Sequence, residues 1–394
     1  MTVVLRETHG IEGVALLDEC WRSPATFLYL PDKTSVSAEW IESAVALFPP
    51  DLQSDHFALL TSGSTGEPKL VIGARARAEA LTRVLHAVQE SAPVGEAILA
   101  LPLSYSYAFV NQWLWSRTFG RRLVPTDGFR KPDRLLEALY AASEAMLCLV
   151  GSQLPLFDAL VGDATFEGVI RLHFAGGRFP QEQLPRLRTR FPRAQIFNNY
   201  GCAEALPRLT VRKAEESGFA SDVGRPIEGV SLQSGADGAL RFRSPYGAVA
   251  IIERGALRRI GPEDWVPTGD LGRPGAGGRW ILEGRSGDVF KRHGEKVSAT
   301  EIVTAISGAW KGIAASYREA DRMGEPGLVL VLSPHPDAAE LNGILHALRE
   351  SFSRPHWPLR IEALTTMPLL PNGKPDPAAA SSDPGRTLLW RQRI

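Results

Sequence analysis

The sequence predicts an α/β fold: a large N-terminal domain of α/β sheets plus a small β subdomain, followed by a small α+β domain. Three observations carry the prediction. Short apolar, β-rich runs alternate with helical patterns from residue 57 to about 210; the texture turns to Gly/Pro-punctuated β segments from about 223; a compact mixed region follows Gly284. Such alternation builds a sheet covered by helices, with loops gathered at strand C-terminal ends, where ligands bind.

Each element has its own signal. FALL (57–60) and LVIG (70–73) read as two strands around a loop. AILALPL (97–103), MLCLVG (146–151), VIRLHFAGG (169–177) and AQIFNNYG (194–201) read as strands that end in small or polar residues. Residues 75–91, 132–143 and 180–190 have helical patterning between them. The segments VGRPIEGVSLQ, GALRFRSP, VAIIERG and GGRWILEGR make up the β-rich stretch. Beyond Gly284, VFKRHGEKVSATEIVTAI leads into a helix and LVLVLS reads as a strand.

Composition narrows the function. The 394 residues are 44% apolar and 22% charged, the balance of an ordinary globular protein. Lysine plus arginine equals aspartate plus glutamate at 44 each, so no global field recruits nucleic acid or a membrane surface. Small neutral or anionic ligands fit better. Cys20, Cys148 and Cys202 are too scattered for a disulfide framework or a zinc site, which points to a reducing cytosol. No apolar stretch approaches membrane length and the N-terminus has no basic, then apolar, leader, so a cytoplasmic location is expected.

The most informative stretch is LTSGSTGEPKLVIG (60–73), which sets Thr61, Ser62, Gly63, Ser64, Thr65, Gly66 and Lys69 between the two strand-like runs. Glycines allow a tight backbone with inward N–H groups, and the hydroxyls and ammonium add donors. Such a loop suits phosphate. The GxxxxGK[ST] order of a Walker loop is absent.

Five further segments extend the pattern: FAGGRFP (174–180), NNYGCAEA (198–205), PTGDLGR (267–273), GRSGDVFKRHGEKVSATEI (284–302) and MPLLPNGKPD (367–376). In this order, over residues 57–377, the chain resembles the adenylate-forming (AMP-binding) superfamily of acyl- and aryl-CoA synthetases, adenylation domains and luciferases. The resemblance implies an ATP-dependent carboxylic acid ligase. The acid forms an acyl- or aryl-adenylate and passes its acyl group to the thiol of CoA or of a carrier protein's phosphopantetheine. It implies an N-terminal domain over 1–284 and a mobile C-terminal domain over 285–394, hinged at GRSGD with Gly287 near its centre.

The same resemblance distributes roles. Thr61 to Lys69 would hold the β- and γ-phosphates, and Glu204 would act in catalysis and place Mg²⁺, a hard ion that prefers carboxylate and phosphate oxygens. Tyr200, flanked by Asn199 and Gly201, would face the adenine, with Gly176 and Gly177 permitting close backbone approach. Asp270 would accept from the ribose hydroxyls and Arg285 would reach sugar or phosphate. Lys374 would neutralise charge on the carboxylate and α-phosphate, and Gly294 would leave room for a pantetheine arm.

The acyl pocket is expected between Tyr105 and Leu206, with Tyr105, Tyr107, Phe109, Phe174, Arg178 and Asn199 as candidates; their aromatic content favours a planar aromatic or medium acyl acid. Three departures stand out. Ala203 replaces the usual threonine before the glutamate, Tyr105 stands where many relatives have histidine, and a short segment precedes the phosphate loop, which favours a carrier-protein thiol. Two other readings compete: an adenylate-forming amide synthetase with an amine acceptor, and a non-catalytic nucleotide- or acyl-binding relative.

Overall fold

The computed structural model describes residues 2–8, 10–34, 36–62, 68–370 and 374–392. Gly63, Ser64, Thr65 and Gly66 of the expected phosphate loop lie outside the described residues, as do 371–373 of the PNGK turn. The chain divides into two compact units: Met1–Thr268 with Arg273–Ile281, and Gly269–Gly272 with Leu282–Ile394. The turn containing Asp270 goes with the second unit.

Two sheets organise the first unit. The larger contains a parallel run in the spatial order Arg122–Pro125, Glu96–Leu99, Ala145–Leu149, Val169–Phe174 and Gln195–Tyr200. Ala145–Leu149 and Val169–Phe174 are buried at every residue, as strands covered on both faces must be. Helices Pro132–Tyr140, Leu154–Val161 and Leu184–Arg190 bring Leu135, Leu139, Phe157 and Leu187 onto Leu147, Leu172 and Ile196 to make its core. Full burial of each such side chain is worth about 1.5–3 kcal/mol, so this core anchors the strand ends that carry the site.

The second sheet of this unit is ordered Val3–Arg6, Phe27–Leu30, His56–Ser62, Pro68–Ala74, Ala250–Glu253 and Ala256–Arg259. The runs FALL and LVIG are antiparallel neighbours within it. The β segments after residue 222 divide between the sheets. Asp222–Pro226 pairs with Thr210–Lys213 on the larger sheet, whereas Ala250–Glu253 pairs with Pro68–Ala74 on the other. Hydrogen-bonding edges left open by the preceding strands decide that distribution.

In the second unit a hairpin of Val289–Arg292 and Glu295–Ser298 turns through His293 and Gly294, both at positive φ, and leads into helix Ala299–Ile306, capped by the Ser298 hydroxyl. Helix Ala338–Ser351 starts with a reciprocal Asp337/Glu340 capping box. These helices bury Ile302, Ile306, Ile344 and Leu348 against Leu330, Leu332 and Ile361 of a sheet ordered Ile313–Ala320, Pro326–Ser333, Arg360–Ala363, Thr387–Arg391. Among the described residues no helix is long and apolar enough to cross a membrane.

Candidate active site

Strand pairing closes the base of the Ser/Gly loop. In the His56–Ser62/Pro68–Ala74 hairpin, Thr61 lies opposite Lys69 and Ser62 opposite Pro68, and the Thr61 hydroxyl donates to the Lys69 carbonyl at 3.5 Å. The Lys69 ammonium donates to Glu204 Oε1 at 2.6 Å and lies 3.8 Å from Glu253 Oε2. A cation and a carboxylate thus sit together at the mouth of the loop.

Glu204 owes its position to a tight reversal after strand Gln195–Tyr200. At Gly201 a Cβ would lie 1.8 Å from the Pro207 carbonyl oxygen, so only glycine lets the chain pass itself there. The short 3₁₀ turn Ala203–Ala205 follows, and the Glu204 carbonyl accepts from the Ala248 N–H at 2.8 Å. Lys69 and Glu204 keep only 16% and 14% of their side-chain exposure. A pair so largely withdrawn from water is costly to break unless another anion takes its place, and a phosphate oxygen brought to Lys69 would be such a replacement.

Gly176 and Gly177 follow the C-terminal end of strand Val169–Phe174. Gly176 has φ +77°, and a Cβ on the exposed Gly177 would meet nothing closer than 3.8 Å, leaving open backbone at the strand end. Tyr200 closes the neighbouring strand and is buried.

The second unit carries the other expected nucleotide groups. Arg285 Nε donates to Asp270 Oδ1 at 3.1 Å, and the Ser286 N–H and hydroxyl both donate to the Gly269 carbonyl, at 3.0 and 2.9 Å. The Gly287 carbonyl accepts from Arg318. Lys374 is held by a bridge between Leu369 and Pro375 and by its own carbonyl, which accepts from Leu370 N–H at 2.8 Å. The residue as a whole is half-buried, but desolvation at its ammonium end, followed by the like charge of Arg285, lowers its pKa to about 8 against the opposing pull of Asp270 and Asp288. Asp270, Arg285 and Lys374 are therefore electrostatically coupled.

The expected acyl-pocket residues separate into three groups. Tyr107 and Asn199 come together, with Asn199 Nδ2 3.4 Å from the Tyr107 hydroxyl, and the half-buried Tyr105 ring lies edge-on to Tyr107 at 6.3 Å. Phe109 packs among Phe57, Trp113, Trp21 and Tyr29, and Phe174 belongs to the sheet core beside Phe179. Arg178 donates to both oxygens of Glu182 at 2.9 Å.

Around Tyr107 and Asn199 lies a buried polar cluster that the sequence reading missed: Gln89, Asn111, Cys148, His173 and Arg208. Gln89 Nε2 donates to Asn111 Oδ1 and Asn199 Oδ1, both at 3.1 Å, and Arg208 Nη2 donates to Asn111 Oδ1 at 3.1 Å. Asn111 stands in a π-helical turn, Phe109–Leu114, a geometry that favours functional sites. The available signal was an arginine interrupting the apolar run LPRLTV.

Comparison with known proteins places this geometry. The family model described as AMP-binding enzyme matches residues 3–234, more than half of the chain. A probable non-canonical nonribosomal peptide synthetase, CymA, of Salinispora arenicola is 28% identical over 389 residues, covering 88% of this chain and 5% of that protein. Benzoate–CoA ligase of Thauera aromatica is 24% identical over 358 residues, covering 82% of this chain and 65% of that enzyme. The chain thus spans less than two thirds of the length of these relatives. Among solved structures, o-succinylbenzoate CoA synthetase of Bacillus subtilis with its acyl-adenylate intermediate overlays with a TM-score of 0.75 at 17% identity, over 100% of this chain and 89% of that one.

Proposed function

The chain belongs to the AMP-binding enzyme family, and from that premise we propose that it is an AMP-forming acid–thiol ligase, consistent with the benzoate–CoA ligase likeness. A carboxylate oxygen attacks the α-phosphorus of ATP, forming the acyl–phosphate bond and expelling pyrophosphate. The thiol of CoA or of a carrier's phosphopantetheine then attacks the acyl carbon, breaks its bond to AMP and gives up its proton. The first step joins an anion to a polyanion, so donors must meet the developing charge.

The observation that carries the reading is the 2.6 Å Lys69–Glu204 pair at the base of the Ser/Gly loop. On ATP binding, Lys69 and the donors from Thr61 to Gly66 take the β- and γ-phosphates, releasing Glu204. The residues present suit Mg²⁺, which binds through one or two carboxylates plus substrate phosphates: Glu204 and Glu253 both stand beside Lys69, at 2.6 and 3.8 Å. Bound there, the ion would supply charge neutralisation on the phosphates. Tyr200 faces the adenine with Gly201, Gly176 and Gly177 around it, Asp270 and Arg285 take the ribose, and Lys374 meets the carboxylate and α-phosphate oxygens, while the Asn199 amide stays in the buried polar cluster. Reorientation about GRSGD, near the 284/285 boundary, separates the two steps, and the work is done in the cytoplasm.

The test is acid-dependent ATP–pyrophosphate exchange across aromatic, fatty and amino acids, followed by thioester formation with CoA or a phosphopantetheinylated carrier. Exchange followed by thioester formation supports the reading. Exchange with transfer to amines alone turns it into amide synthesis. ATP binding without exchange with any acid removes it.

A further inference from the structure

The cluster around Arg208 holds a positive charge, and among the described residues no carboxylate pairs with it. Arg208 is fully buried, and among the described residues its Nε–H and Nη1–H groups have no acceptor. Its Nη2 donates to the Asn111 amide oxygen, and its guanidinium lies over the Tyr107 ring at 5.1 Å from the centroid. Neither partner carries charge. Two other polar atoms of the cluster, His173 Nε2 and Gln89 Oε1, are likewise buried without partners among the described residues.

The other titratable groups of the cluster cannot supply an anion. Burial pushes the Cys148 thiol up to about 12 and holds the Tyr107 phenol well above its usual range, so both stay protonated at neutral pH. Burial, then the charges of Arg208 and Arg171, keep His173 neutral. A guanidinium enclosed among neutral groups is costly unless paired. Arginine is also the side chain whose fork matches a carboxylate.

Position ties the cluster to the candidate active site. Cys148 and His173 are register partners one residue from the C-terminal ends of adjoining parallel strands, where ligands of open α/β sheets bind. Arg208 follows Glu204 by four residues through the reversal closed by Gly201.

We propose that Arg208, with Asn111, Asn199, Tyr107 and His173 around it, binds a second carboxylate on the acid substrate, so that this chain activates a dicarboxylic acid. The inference rests on the ligase reading for its chemistry. One carboxylate is activated; the other pairs with Arg208 and stays unreacted, with the remaining amide and imidazole groups fixing its orientation.

The experiment compares matched acids on the full chain by pyrophosphate exchange and by calorimetry: benzoate against isophthalate and terephthalate, and hexanoate against adipate. The wild-type protein should favour at least one diacid over its monoacid by about 30-fold or more in kcat/KM, the lower range for pairing a buried charge. Arg208→Gln should abolish that preference through KM for the acid, with KM for ATP unchanged, and Arg208→Lys should recover part of it. If Arg208→Gln fails to fold, the wild-type diacid-to-monoacid ratio decides. Exchange with monoacids as good as with every diacid overturns the inference and leaves the ligase reading standing. Saturable diacid binding, lost in Arg208→Gln, without exchange upholds the inference and removes the ligase reading. Neither exchange nor saturable diacid binding overturns both.

Discussion

Raising the pH through 8 should switch off adenylation by removing one proton from Lys374. Its pKa in the free protein lies at about 8 instead of the ordinary 10.5, chiefly through desolvation and then through Arg285. Only the ammonium form can neutralise charge on the carboxylate and α-phosphate, and roughly one tenth of it survives one pH unit above the pKa. The kcat/KM of pyrophosphate exchange reports groups in the free enzyme, so it should fall about tenfold per unit above pH 8. The reactants do not compete for this effect, because carboxylic acids and phosphates are already ionised in that range. Bound nucleotide adds negative charge beside the ammonium, so the break in kcat should come at higher pH than the break in kcat/KM. The stability sign runs the other way: with a folded-state pKa below the unfolded one, the unfolded chain binds more protons between about pH 8 and 10.5, and this group makes the fold more stable as pH rises. Loss of rate there is therefore not unfolding through Lys374. The assay is exchange with ATP and acid below their KM, from pH 6.5 to 9.5. A flat profile, or the same break in Lys374→Ala, refutes the assignment.

Three other outcomes are expected. Lys374→Ala should slow pyrophosphate exchange by about 10²–10³-fold, the size of one lost oxyanion-type contact, while thioester formation from presynthesised acyl-adenylate persists; equal loss in both half-reactions would show a structural role. Lys69→Met and Glu204→Gln should each raise KM for ATP in pyrophosphate exchange, because the 2.6 Å pair stands at the base of the loop that would hold the phosphates; an unchanged KM for ATP in both variants would show that the pair is a structural bridge only. Gly201→Ala should cost about 1–3 kcal/mol in thermal or urea melts, as forced overpacking does, since its Cβ would lie 1.8 Å from the Pro207 oxygen; an unchanged melt would show that the reversal relaxes freely.

Much of the frame was legible because local patterns express it. The alternating runs fall on strands Ala145–Leu149, Val169–Phe174 and Gln195–Tyr200 and on helices Arg75–Val88, Pro132–Tyr140 and Leu184–Arg190. Element ends shifted by a few residues, as at AILALPL, where the strand stops at Leu99. The β-rich stretch was recognisable as β, but its division between two sheets was not, since Gly/Pro punctuation marks turns and says nothing about which open edge a strand joins.

By itself, the sequence determined the order of the nucleotide motifs, the strand–loop–strand around Ser62 to Lys69, and the glycine at 201, all of them properties of short segments. Only the tertiary structure decided that Lys69 meets Glu204 across 135 residues, that Phe109 and Phe174 are committed to packing while Tyr107 and Asn199 join a polar cluster, and that Arg208 is buried with no carboxylate beside it among the described residues. Periodicity states which side of an element is apolar. Whether a polar side chain on a strand end meets solvent, a partner or a ligand depends on what distant elements bring opposite it, and that is set by packing of the whole sheet.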